Sequence, residues 1–405
     1  MSTSLLYHVF GAPGYDFISN QFEGGSLFIH MRPKDKLVRC PECKSFHVIR
    51  RGVSERKLRT LPVGAKQVWL VAEVPRVKCL NCGCLRRIHL GIADVRRSYT
   101  RRFERYLVSL TRMMTLKDVA NLLNIGWDCV KDIHMRYLKR RFVPPKLSKL
   151  RYIAIDEISI KKGHKYLTIV LDLETGEVVF VGDGKGASAL EPFWKSLRHS
   201  NAKILAVATD LSRAYISAVT NNLPGVPLVF DHFHVVKLMN DALTEVRRSV
   251  YRESSEEGRK VLKGSRWILL KNPEHLRKDD KVDEAKQLQA ALDLNKPLSI
   301  AYYMKEDLRR IWSQTSKESA EAILTSWIIR AKTSNIKALM RVGKTLEEYS
   351  YGLLNWYDHH ITSGPMEGTN NKIKTMKKMA YGYSDVEFFK LRILGIHEAK
   401  FAMTG

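Results

Sequence analysis

The 405-residue sequence predicts an α/β core with an all-α insertion, preceded by a zinc ribbon and a helix-turn-helix. Three observations predict it. Two C-x-x-C pairs lie near the start, a helical pair with its own capping residues follows, and apolar runs ending in aspartate begin at residue 152. The charge is uneven: of a net +26, residues 1–150 carry +18 and the remainder +8. A front-loaded excess of this size points to a polyanion, nucleic acid before others, over an ordinary solvated basic face. Six cysteines without a secretory pattern suggest metal binding rather than disulfides. No run of 18 apolar residues exists, so no membrane span is expected, and the expected location is cytoplasmic, on the nucleoid.

Residues 1–35 give little beyond β-like alternation at 26–31. Cys40-Pro41-Glu42-Cys43 and Cys79-Leu80-Asn81-Cys82 then supply four thiolates, and each two-residue spacer lets a tight turn present both sulfurs to one tetrahedral Zn²⁺. Cys84 is a competitor for the place of Cys82; Cys129 reads as a core thiol. Residues 68–71 and 74–77 read as two strands of the ribbon. A basic stretch over 96–114 leads to a helix-turn-helix at 115–130. Thr115 caps the first helix, with Asp118 at the capping-box position one methylene short of the usual Glu. Asn124 tolerates the left-handed turn, and Gly126 caps the second helix. That helix buries Val130, Ile133 and Leu138 and offers Trp127, Asp128 and Lys131 to a major groove. Arg101, Arg102 and Arg136 are the further expected DNA contacts.

Pro144-Pro145 marks a linker. Beyond it, apolar runs at 152–155, 166–171, 178–181, 204–208 and 226–230 read as strands, with helices at 187–199 and 214–223. The first, fourth and fifth runs end in Asp156, Asp210 and Asp231. The order β-β-β-α-β-α-β with acids at the ends of the first and fourth strands predicts a ribonuclease-H-like core. From 235 to about 360 the pattern is helical, and a helix from 364 completes the core. On it Glu367, Asn371 and Lys374 share one face. The expected domains are 1–95, zinc ribbon; 96–145, helix-turn-helix; 146–234, first part of the core; 235–362, all-α insertion; and 363–405, last part of the core.

Asp156, Asp210 and Glu367 form the acid set that a two-metal phosphoryl-transfer site needs, since hard carboxylate oxygens suit two Mg²⁺ or Mn²⁺ ions. Asp156 is assigned the bridging place. Asp231-His232-Phe233-His234, read as strand, is a rival in which Asp231 replaces Asp210; otherwise Asp231 and His234 support the site, as Asn371 and Lys374 do.

These motifs in this order resemble the bacterial insertion-sequence transposases of the DDE type, specifically the ISL-three family. The residues carrying the resemblance are the two cysteine pairs, the helix-turn-helix, Ile155-Asp156-Glu157, Thr209-Asp210-Leu211-Ser212, Asp231-His232-Phe233-His234, 364–374 and Tyr381-Gly382-Tyr383. The resemblance implies Asp156, Asp210 and Glu367 as catalytic acids, one structural Zn²⁺, and N-terminal modules that bind terminal inverted repeats. The expected function is binding of those repeats, cleavage at the ends and joining of 3′-hydroxyls to target DNA. Its partners are double-stranded DNA and a second copy of the chain. The rivals are a non-catalytic DNA-binding regulator derived from a transposase and a structure-specific nuclease with the same core.

Overall fold

The computed structural model describes residues 3–161, 165–279 and 282–398. They fall into two compact units, residues 3–143 with Glu398, and Pro144–His397. Residues 399–405 of the expected last segment lie outside the described residues.

The first unit opens with α1 (Thr3–His8) and a five-stranded sheet. β1 (Tyr15–Glu23), β2 (Ser26–Pro33), β3 (Val48–Val63) and β4 (Lys66–Cys79) run in the order β1-β2-β4-β3, and β5 (Leu85–Arg87) pairs with the end of β4. The two short strands expected at 68–71 and 74–77 are one strand. A register shift in β3 between Arg50 and Val53 lets the ladder run past Pro75, which has no N–H to donate. Alternation puts Ile29, Met31, Leu58, Val68, Leu70 and Ala72 into the core.

α2 (Arg101–Thr111), α3 (Leu116–Leu123) and α4 (Trp127–Phe142) follow. Both bonds of the Thr115/Asp118 capping box are present, Asn124 is left-handed at φ 49°, and Gly126 caps α4. Val130, Ile133 and Leu138 are buried. Buried Arg59 of β3 joins sheet to helices: its guanidinium donates to Leu123 O at 3.2 Å and lies 5.4 Å from the Trp69 ring and 5.8 Å from that of Phe103.

The second unit contains β6 (Tyr152–Lys161), β7 (Lys165–Asp172), β8 (Val178–Asp183), β9 (Ala206–Thr209) and β10 (Leu228–Phe230), in the order β10-β9-β6-β7-β8. β7 is antiparallel to β6 and β8; β9 and β10 run parallel to β6. α5 (Glu191–Arg198), α6 (Arg213–Asn222) and α7 (His232–Glu253) come from the connections. The helical region continues with α8 (Glu256–Leu262), α9 (Ser265–Leu270), α10 (Glu284–Asp293) and α11 (Lys296–Arg309). It ends with α12 (Lys317–Thr333), α13 (Lys337–Glu348), α14 (Ser350–Leu354) and α15 (Trp356–His359). It is not purely helical: β11 (Lys278–Asp279) pairs with β12 (Val282–Asp283).

α16 (Gly364–Met379) and α17 (Val386–Leu394) return to the sheet. Ile153 and Ile155 face the layer of Phe193, Trp194, Tyr215 and Val235, whereas Ala154, Ile158 and Ile160 face Met366 and Ile373 of α16. Full burial of each large side chain is worth about 1.5–3 kcal/mol. The end of the insertion seals the β10 edge. Asn355 Nδ2 donates to Leu228 O at 2.9 Å, and a Cβ on Gly352 would lie 2.3 Å from the Phe230 ring. No described helix is long and apolar enough to cross a membrane.

Candidate active site and zinc centre

Parallel pairing sets Ile155 beside Thr209 and Thr209 beside Phe230. Asp156, Asp210 and Asp231 are the next residues, so three carboxylates follow one another where the parallel ladder of β6, β9 and β10 stops. This is where open α/β sheets bind ligands. β6 continues to Lys161, so Asp156 lies inside a strand and not at its end as expected; what stops there is the β9 ladder. Period-two alternation turns Asp156 to the side of Ala154 and Ile158, under α16. Ala154 and Ala208 are small, which lets the helix approach.

Two bonds draw α16 to this row. Asn370 Nδ2 donates to Asp156 Oδ2 at 2.7 Å, and the Ser363 hydroxyl donates to Asp231 Oδ2. Burial pushes Asp156 up to about 6, and the Asp210 charge adds to the rise. Asp231 caps α7 through Phe233 N–H at 3.2 Å. The 231–234 motif is therefore helical, and the strand reading of it is corrected. Helical spacing brings His234 Nδ1 to 3.5 Å from Asp231 Oδ2. Burial works to raise Asp231, yet His234 and Ser363 hold it below the usual carboxylate range. His234 is raised, first by its close contact with Asp231 and then by the charges of Asp231, Asp210 and Asp156. Glu367 is exposed on the first turn of α16.

In the first unit the sulfur atoms of Cys40, Cys43, Cys79 and Cys82 all lie within 4.8 Å of one another. Cys40 and Cys82 are 3.6 Å apart and Cys43 and Cys79 3.5 Å, close to the roughly 3.8 Å between thiolates on tetrahedral zinc. The Cys84 sulfur is 3.2 Å from that of Cys40.

Both clusters lie within segments that match known families. The profile of the ISL3 DDE transposase domain, described as transposase, matches residues 153–393. That of the zinc-finger of transposase IS204/IS1001/IS1096/IS1165 matches 36–82, and that of the helix-turn-helix domain of transposase family ISL3 matches 88–138. The transposase for insertion sequence element IS1001 of Bordetella parapertussis is 30% identical over 374 residues, 91% of each chain. The chain belongs to transposase family ISL3. The transposase for insertion sequence element IS1557 of Mycobacterium tuberculosis is 27% identical over 390 residues, 89% of this chain and 86% of its own. A solved Drosophila P element transposase strand transfer complex covers 75% of this chain and 93% of its own, at TM-score 0.40 and 11% identity, too slight a likeness to build on.

As an ISL3 transposase the chain is a DDE enzyme that cuts and joins DNA with divalent metal ions, and it carries a zinc ribbon and a helix-turn-helix that bind DNA. The donor chemistry fits both groups. Thiolates suit zinc; carboxylates in one row suit hard divalent ions, with Asn370 Oδ1 beside them, buried and without a hydrogen-bond partner among the described residues.

The expected DNA contacts divide. Trp127 is exposed at the start of α4, with Lys131 Nζ 5.4 Å from its ring centroid. The arginines have internal partners: Arg136 binds Glu104 at 2.7 Å, Arg101 binds Asp94 at 2.8 Å, and Arg102 donates to His8 O at 2.8 Å. Asn371 is exposed, and its neighbour Asn370 makes the contact to Asp156. Asn370 and Ser363 are functional neighbours that no motif in the sequence marks. The signal for Asn370 was its place between the core positions Met366 and Ile373.

Proposed function

We propose that Asp156, Asp210 and Glu367 are the catalytic acids, in a ribonuclease-H-like core, of an enzyme that cuts the terminal inverted repeats of its own element and joins the 3′-hydroxyls to target DNA. The observation carrying this is the Asn370–Asp156 bond, which ties the helix of Glu367 to the row of Asp156 and Asp210. Glu367 precedes Asn370 by three residues, about 4.5 Å along the axis. Asp210 suits the second place better than Asp231. One Asp210 oxygen accepts from Ser212 N–H at 3.1 Å and the other has no hydrogen-bond partner among the described residues, whereas both Asp231 oxygens are engaged. Asp156 takes the bridging place, and Asp231 with His234 and Ser363 fixes the start of the Glu367 helix.

Bound divalent ions supply activation of the attacking oxygen and stabilisation of the leaving one. The chain's own acids would bind and orient them, and the partly buried setting of Asp156 limits the water around that carboxylate. The ribbon and the Trp127 face of α4 recognise the ends, with affinity falling steeply as salt rises. Two ends must meet before joining, so a dimer on DNA is the expected working form. Incubation with end duplexes and Mg²⁺, read as nicks and joined strands, tests the assignment: Asp156→Asn should bind ends and not cut them. Wild-type cutting by that variant refutes it.

A further inference from the structure

The helix that carries Glu367 continues as a basic track. Glu367, Asn371, Lys374 and Lys378 are all exposed and fall within a sector of roughly 60° about the axis of α16. Lys374, Lys377 and Lys378 form no ion pair among the described residues. The helix then ends in a Schellman turn, with Tyr381 N–H donating to Lys378 O and Gly382 N–H to Lys377 O, each at 3.0 Å. The left-handed position of that turn ordinarily takes glycine, but here it is Tyr381, at φ 52°. Its ring is 100% exposed. A tyrosine in a conformation that suits glycine, with its ring against nothing, adds nothing to the fold.

We propose that this face of α16 is the track for a DNA strand leaving the catalytic acids, with Lys374 and Lys378 on its phosphates and the Tyr381 ring stacked on an unpaired base. The proposal rests on the reading of Glu367 as a catalytic acid. The lysines are charge-complementary to phosphate. The aromatic ring selects an unpaired strand, because bases within a duplex are already stacked and offer no free face. Tyr381 lies about 20 Å along the helix from Glu367, so the stacked base is at most about six nucleotides from the cut.

The test uses the full-length protein without added Mg²⁺ and two labelled duplexes of one sequence. One duplex is fully paired; the other has a short unpaired tail carrying 2-aminopurine. Wild type should prefer the tailed duplex and quench its fluorescence. Tyr381→Gly relaxes the helix end, so it should keep or raise the melting temperature and bind the paired duplex as before. Its affinity for the tail should fall about 5- to 150-fold. Tyr381→Phe should retain the quench. Lys374→Gln with Lys378→Gln should weaken tail binding and flatten its salt dependence. A wild type without tail preference, or a Tyr381→Gly that keeps it, overturns the proposal. Cutting by Asp156→Asn overturns the catalytic reading instead and leaves the tail preference in place.

Discussion

In the cysteine cluster four ligand atoms already lie within 4.8 Å of one another, whereas among the described residues the carboxylates form no such group. The cysteines sit on two knuckles whose strands are paired directly, Val48 opposite Cys79, so the fold of the ribbon assembles them. The acids come from two strands and a distant helix. Asp156 is half-buried, Asp210 follows the neighbouring strand with like charge, and Glu367 is exposed. A structural metal site is closed by its own ligands; a catalytic one leaves room for substrate and water. The difference is that between a site that holds the chain together and one that the fold holds open against charge repulsion.

Removing zinc should break that comparison most visibly. Structural zinc contributes on the order of 10 kcal/mol to small domains. Chelation or Cys79→Ser should therefore unfold the ribbon, seen as an early melting transition with zinc release. A ribbon that melts unchanged without metal would show the cluster to be only a set of core thiols.

Asp156→Asn should act oppositely on activity and stability. Cutting of end duplexes should fall by about 10³-fold or more, since electrostatic groups of this kind contribute 10²–10³ singly and a metal ligand more. Stability should rise. The folded carboxyl titrates at about 6 against an ordinary value of 3.8, so the native state binds the extra proton between these values and loses stability as pH rises through them. Without the charge the protein should gain roughly 2–3 kcal/mol at pH 7 and nothing below about pH 4. Denaturant melts at both pH values check the sign, and a gain at low pH alone would contradict it.

Asn370→Ala sharpens the comparison by untying α16, the helix of the proposed acid Glu367, from Asp156. Loss of a hydrogen bond to a half-buried carboxylate should destabilise the second unit by about 2 kcal/mol and slow cutting. An equal loss in the Asp156→Asn background would place the asparagine's contribution elsewhere. Thr115→Ala touches neither metal site; it should cost about 1 kcal/mol by uncapping α3 and weaken end binding only slightly.

Legibility in the sequence followed the range of the interactions. Thr115, Asp118, Asn124 and Gly126 act within four residues of themselves, and the helix-turn-helix they specify is present residue by residue. The strand reading of 231–234 failed because Asp231 is both the last residue of an apolar run and a good helix cap, and capping prevailed. The apolar run stops at Asp156 and so reads as a strand end, yet pairing with β7 carries the strand on to Lys161. Arg136 reads as a free cation on an amphipathic helix until Glu104, 32 residues earlier, is found beside it.

By itself the sequence determined the order of the parts, the cysteine spacing, the acids that end apolar runs, and the caps of α3 and α4, because each is written in neighbouring residues. The tertiary structure alone decided that Asp156, Asp210 and Asp231 stand in one row, that Asn370 and not Asn371 holds the Glu367 helix to it, and that Tyr381 is left bare. Strand register and helix rotation are set by burial against residues hundreds of positions away, and no local pattern encodes them.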